Sequence, residues 1–260
     1  MITRRAGLRP GGFTLVELLV VIGIIALLIS VLLPTLGAAR RAARTLVCAS
    51  SIRQIAIASI GYSQENHGLW PPAHLDFITR NLDRWHGVRS SASQPFDFTF
   101  SCLRPYLRTP VIKQCPDFEP DRVGFESSAG GYGYNNHYIG SSTADMGWSA
   151  AGVNTAAKQN QIKNPSSKIA FADAAMGQRF GTVDVLIEYS FVEPPTTEGL
   201  TTSPSIHFRH RGRANIAWAD GHVTAESFGW TYPTNVYGAD NVKLKLGFFG
   251  PGDNTLFQRN

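Results

Sequence analysis

An apolar run near the start of the chain restricts its fold more than any other feature. From Leu18 to Leu33 every residue except Gly23 and Ser30 is apolar, and helix-compatible residues extend from Phe13 to Leu36. At ~1.5 Å per residue, those roughly 24 residues span a hydrocarbon core of ~30 Å. The run predicts a transmembrane helix. One carboxylate, Glu17, lies at its edge. An ionised carboxylate in hydrocarbon costs several kcal/mol unless paired, so Glu17 either has a cationic partner or snorkels to the headgroups. Orientation does not follow from charge, because Arg4, Arg5 and Arg9 precede the span while Arg40, Arg41 and Arg44 follow it.

Helical composition continues beyond the span. Pro34 could bend the helix, but alanine-rich sequence runs on to about Glu65. Cys48, Ile52, Ile55, Ser59 and Tyr62 recur at spacings of 4, 3, 4 and 3, which predicts one buried stripe. The helix should stop near Asn66-His67-Gly68, and Pro71-Pro72 bars its resumption.

The chain of 260 residues allows one globular domain behind this helix. Its formal charge is +5, and removal of the three arginines before Phe13 would leave +2. No Lys/Arg cluster with interleaved aromatics stands out, so no nucleic-acid partner is expected. Three cysteines cannot all pair, and none forms a CxxC of the zinc type. Cys102 and Cys115 flank a short segment and could be bridged in an oxidising compartment.

In the body, HLDFITRNLDRW and FDFTFSCLRPYL could form short helices, and GGYGYNN reads as a glycine- and aromatic-rich loop. KIAFAD reads as a buried strand. In PSIHFRHRGRANIAWADGHVTAESF, a hairpin centred on Gly212 would set Phe208 opposite Ile216 and Ile206 opposite Trp218, all on one face. A two-residue turn at Asp220-Gly221 would then place Val223 beside Trp218. With KIAFAD and VDVLIEYSFV this predicts an antiparallel sheet of four or five strands, one face covered by the amphipathic half of the helix.

The residues leading into the run carry a more specific pattern: a short basic head ending in Gly12, then Phe13, Thr14, Leu15, Val16 and Glu17. This resembles the prepilin-type cleavage and methylation segment of type IV pilins and type II secretion pseudopilins. The resemblance implies that a prepilin peptidase cuts after Gly12 on the cytoplasmic side and methylates the new amine of Phe13. It also implies an inner-membrane protein, single-pass, with a cytoplasmic N-terminus and a periplasmic or external body. The cut would supply Glu17 with a cation about one helical turn away. A signal peptide cleaved near Gly37, or a plain uncleaved anchor, are the competing readings.

A second resemblance lies near the other end. His210, nine intervening residues, then Asp220-Gly221 is similar to the signature of the H-X9-DG prepilin-processing-associated subgroup, the DUF1559-like proteins. Cys48, Cys115-Pro116-Asp117 and Tyr132-Gly133-Tyr134-Asn135 are also similar to that subgroup. His207, His210, Asp220 and His222 invite a metal or acid-base reading. In the expected hairpin, however, His210 and Asp220 would lie roughly 20 Å apart at ~3.3 Å per residue, so they should not touch. Asp145, Asp173, Asp184, Asp240 and Asp253 read as solvated loop acids rather than a calcium loop. Neither GxSxG, HExxH nor a P-loop occurs.

The expectation is an α+β, pilin-like chain: leader 1-12, transmembrane half-helix 13-36, amphipathic continuation 37-66 and extracytoplasmic body 67-260. It would be a structural pseudopilin-like subunit, not an enzyme, with no cofactor and no metal. Its partners would be prepilin peptidase, the inner membrane and other pilin-like subunits. The alternatives are a tethered module binding carbohydrate or exported substrate through Tyr132, Tyr134 and Trp148, and a metal-dependent enzyme built on His207, His210 and His222.

Overall fold

The computed structural model describes residues 15–109 and 112–260. They form a long N-terminal helix followed by small antiparallel sheets, the expected α+β, pilin-like arrangement. Helix α1, Leu15–Glu65, is 51 residues long. The chain divides into two compact units, the first ending at Ala43 and the second running from Arg44 to Asn260.

In the first unit, residues 15–36 of α1 are exposed throughout. This part is long and apolar enough to cross a membrane. The helix runs on through Pro34, which lacks an N–H to donate backwards. On either side of it the hydroxyls of Ser30 and Thr35 donate back to the carbonyls of Leu27 and Leu32, at 2.7 and 2.8 Å.

In the second unit, Cys48, Ile52, Ile55 and Ser59 are buried and Tyr62 is half-buried, on the stripe that the spacing predicted. The helix ends where His67 and Gly68 take positive φ (55° and 79°) and Gly68 N–H donates to Ser63 O at 2.8 Å.

Among the described residues, twelve short strands follow in chain order: β1 Asp83–Arg84, β2 Gly87–Val88, β3 Tyr132–Tyr134, β4 Ile169–Asp173, β5 Met176–Phe180, β6 Val183–Ile187, β7 Thr196–Thr197, β8 Leu200–Thr201, β9 Ile206–His207, β10 Arg213–Trp218, β11 Val223–Ser227 and β12 Leu246–Gly247. The main sheet is antiparallel, in the order β11-β10-β4-β3. Its Tyr132, Tyr134, Phe171 and Ala217 share a cluster with Cys48, Ile52, Ile55 and Ala56 of α1. Ala172, Ala214, Ile216 and Trp218 join a second cluster with Phe208, Phe249 and Phe257. With both faces covered, β4 is buried at every position, which is why KIAFAD reads as a continuous apolar run rather than an alternation.

Several expectations need correcting. Segment β9 pairs with β12 rather than with β10, so the three-strand meander does not form. The edge of β10 meant for it is taken by β4, with Ile216 opposite Ala172. Ile206, Phe208, Ile216 and Trp218 still share one cluster, as their alternation required. The β10–β11 turn holds three residues rather than two: Ala217 pairs with Val223, and Trp218 N–H donates to His222 O at 3.0 Å. Trp218 and Val223 therefore fall on opposite faces, and Trp218 stacks on His222 instead, with centroids 5.7 Å apart.

GGYGYNN is not a loop but carries edge strand β3. Gly133 makes this strand possible, because a Cβ there would lie 2.5 Å from the Phe191 carbonyl oxygen. VDVLIEYSFV contributes β6 to a separate hairpin with β5. HLDFITRNLDRW forms turns leading into β1, and FDFTFSCLRPYL forms two 3₁₀ turns, Phe98–Phe100 and Arg104–Tyr106.

Candidate functional sites at the N-terminal segment and around His210

Two regions carry the residues singled out by the sequence. Gly12, Phe13 and the leader 1–12 lie outside the described residues. Glu17 stands in the first turn of α1, exposed, with apolar side chains on either side of it. A carboxylate at this end also faces the positive end of the helix dipole.

The second region gathers around His210, which is buried. Its Nδ1 lies 3.1 Å from Asp117 Oδ2 and 3.4 Å from Thr45 Oγ1 on α1. Its Nε2 lies 3.2 Å from Asp173 Oδ2, at the end of β4, and 3.5 Å from Cys115 Sγ. The adjacent Arg209 donates to Asp173 Oδ1 at 2.7 Å and to the Gly131 carbonyl at 2.6 Å, and its guanidinium stacks over Phe118. Asp173 also accepts from the Asn215 backbone N–H at 2.7 Å, which locks β4 to β10 beside the cluster. Arg44 approaches Asp117 at 3.7 Å.

Cys115 is disulfide-bonded to Cys48 of α1, with Cα atoms 5.1 Å apart, and Cys102 is the free thiol. The expected Cys102–Cys115 bridge is therefore wrong. Proximity along the chain suggested it, but Cys48 comes from the buried stripe of α1 and meets Cys115 across the core.

Asp220 does not belong to this cluster. Its carboxylate accepts from the backbone N–H of His222 at 3.1 Å and lies 2.6 Å from the His222 ring, capping the β10–β11 turn. His210 and Asp220 are thus separate, as the strand spacing predicted. Gly221, at φ 89°, places that turn against α1: a Cβ there would lie 3.2 Å from Ile60 Cδ1 and 3.7 Å from Ile57 Cγ1. The two ends of the His-to-Asp-Gly spacing thus bear on α1 at two places, Thr45 and Ile57–Ile60.

The N-terminal pattern is the one that a comparison with known proteins recovers. Residues 9–33 match the prokaryotic N-terminal methylation motif. No curated protein and no solved structure matches the chain. The methylation motif takes in Gly12, Phe13, Glu17 and the apolar run to Leu33, and its match stops short of the unit that begins at Arg44. It supports a type IV pilin-like reading of the chain and, together with the long apolar helix α1, is consistent with membrane anchoring.

The residues of the other readings do not converge. Tyr132 and Tyr134 are fully buried against α1 and Phe171, so they line no open aromatic cleft, while Trp148 is exposed and lies over His74 and His137. His207 is buried beside Arg209, whereas His222 is half-buried against Asp220 and Trp218. Among the described residues, the metal-ligand types that do come together are Cys48, Cys115 and His210, two of which are joined by the disulfide. Asp173 is not a solvated acid but a fully buried one, whereas Asp145 pairs with Arg259 and Asp184, Asp240 and Asp253 each engage groups within a few residues.

A buried charged group lies elsewhere in the body and was not legible in advance. Arg84 and Glu126 form an ion pair at 2.6 Å, with both side chains essentially inaccessible. Burial alone would raise the Glu126 carboxyl, but the His86 imidazole and the Arg84 guanidinium hold it down at about 2. Ser190 adds a hydrogen bond to the same carboxylate at 2.7 Å. Beside this pair, burial and the charge of Arg84 push His74 down to about 4.

Proposed function

We propose that this protein is a structural, prepilin-like subunit of a type II secretion or type IV pilus-like assembly. Prepilin peptidase would remove residues 1–12 and methylate Phe13. Residues 13–36 would anchor the product in the inner membrane, residues 37–66 would continue the helix, and the body 67–260 would lie outside the cytoplasm. The observation that carries this reading is the methylation motif at residues 9–33, which runs directly into the exposed apolar half of α1. A helix apolar all round is suited to lipid and to bundling with like helices. Membership of the H-X9-DG subgroup is part of the proposal, supported by the resemblance of the His210 to Asp220-Gly221 spacing to that subgroup's signature.

Glu17 has a specific part in this proposal. Cleavage creates a positive amine at Phe13, and the amine of a neighbouring subunit could approach the same carboxylate as helices bundle. Pairing would then offset the cost of burying both charges and fix subunit register.

Mass spectrometry of the mature N-terminus tests the processing step. A peptide beginning at methylated Phe13 is the expected result, whereas an intact Met1 or a start near Ala38 to Arg40 rejects the proposal. Glu17→Ala tests the pairing. This variant should still be cut, yet co-assemble at least tenfold less with other pilin-like subunits in cross-linking, and normal assembly would remove the argument.

A further inference from the structure

The Cys48–Cys115 disulfide is chemically lopsided. Arg209 Nε donates to Cys115 Sγ at 3.3 Å, and His210 Nε2 lies 3.5 Å from the same sulfur. Among the described residues no such donor falls on Cys48 Sγ, although it lies within 4.8 Å of a His210 ring nitrogen. A sulfur within a disulfide is a feeble acceptor, and a thiolate is a strong one. The Arg209 donor therefore stabilises the reduced Cys115 far more than the oxidised one. The positions of Arg209 and His210 are not adjustable, because Arg209 is fixed by Asp173 and Gly131 while both ring nitrogens of His210 face carboxylates.

We infer that this disulfide is a directional site of thiol–disulfide exchange, in which an external dithiol attacks Cys48 and Cys115 departs as the stabilised thiolate. In the first step a dithiol thiolate forms a bond to Cys48 Sγ, the Cys48–Cys115 bond breaks, and its electron pair goes to Cys115 Sγ beside Arg209. In the second, the other thiol of the reagent attacks its own bonded sulfur and releases Cys48 as a thiolate that takes up a proton. The reagent leaves as a disulfide, oxidised by two electrons, and the protein is reduced by two. Exchange is favoured when the departing sulfur is the better-stabilised thiolate. Run in reverse, the same chemistry installs the bond, with Cys48 attacking a donor disulfide and Cys115 resolving the mixed disulfide as the reagent's thiolate departs.

Both sulfurs are buried, so attack on Cys48 requires α1 to lift locally. The helix there has an open outer side: Leu46 and Val47, next to Cys48, are exposed. Reduction would release α1 from the Cys115 segment at this point, leaving the contacts from Ile52 onwards. Nothing in the inference depends on cleavage at Gly12.

The test uses the full chain in detergent micelles, partly reduced with glutathione, quenched with iodoacetamide and mapped by peptide mass spectrometry. Glutathione on Cys48 with a carbamidomethyl group on Cys115 is the expected product. A glutathione adduct mainly on Cys115, or reduction only after unfolding in denaturant, overturns the inference. In glutathione redox buffers, Arg209→Gln should need about tenfold more reducing conditions for half-reduction than the unaltered chain, with Arg211→Gln as the neighbouring-charge control. Equal midpoints for the Arg209 variant and the unaltered chain would sink the stabilised-thiolate argument. If Arg209→Gln does not fold, the adduct map of the unaltered chain decides alone.

Discussion

His74 shows how much a single residue's surroundings can matter. It is fully enclosed, both ring nitrogens lack a hydrogen-bond partner, and Phe77, Trp148 and Phe191 pack around it. Such a ring is stable only when neutral. A base whose folded pKa is about 4, against 6.5 when unfolded, binds its proton more readily in the unfolded chain. Its stabilising contribution is therefore complete above pH 6.5 and lost as the pH falls towards 4, by on the order of 3 kcal/mol. Burial depresses His86 and His207 in the same direction. Asp83 acts in the opposite sense: burial and the Asp76 carboxylate raise it to about 6, so its contribution is present below its ordinary range and fades as pH rises through 6. Urea unfolding of the detergent-solubilised chain should show a midpoint that drops between pH 6.5 and 4, and His74→Phe should flatten that drop. An identical pH profile in the variant would show that His74 is not the titrating group. Nothing in the sequence around His74 announces this, because a histidine's role is set by what encloses it.

At the scale of elements, α1 is one helix with two kinds of surface. Its first half is apolar and exposed at every position from 15 to 36, and its second half buries one stripe against β3, β4 and β10. Ile52 is wholly inaccessible, while Leu46 is 70% exposed. Ile52→Ala should lower the unfolding free energy by about 2–4 kcal/mol, and Leu46→Ala by no more than about 0.5 kcal/mol. Denaturant titration of the two variants separates these outcomes, and similar losses would mean that the stripe does not anchor the helix. The stripe was readable because its period belongs to the helix alone. The pairing of β9 was not: alternation tells which side of a strand is buried but leaves open which neighbour takes its edge. Arg209 and His210 turn into the cluster around Asp173, the chain leaves β10 at this point, and β4 fills the vacated edge.

For the whole molecule, the division at Ala43/Arg44 has a direct consequence. The buried part of α1 begins at Cys48, and the core cluster that contains it draws on residues from Cys48 onwards. A fragment of residues 44–260 should therefore fold without the membrane half. It should be soluble, melt cooperatively in circular dichroism and retain the Cys48–Cys115 bond. A molten fragment without a cooperative transition would show that the first 43 residues contribute to the body's stability. The disulfide closes a loop across a separation of 67 residues, for which chain entropy gives about 4 kcal/mol, so its loss should be the most visible change in this fragment.

The sequence by itself determined the parts of this protein that rest on neighbours in the chain. These are the membrane-length apolar run, the methylation motif that leads into it, the buried stripe of α1, the helix stop at Gly68 and the buried strand KIAFAD. Each is a local pattern, fixed by backbone periodicity or by the residue types at a turn. Only the tertiary structure decided which distant groups meet. Cys115 finds Cys48 rather than Cys102, His210 finds Thr45 from 165 residues away, and Asp173 finds Arg209. Such meetings depend on how helix and sheet stack, and no spacing along a single chain encodes which of several chemically equivalent partners the packed core will deliver.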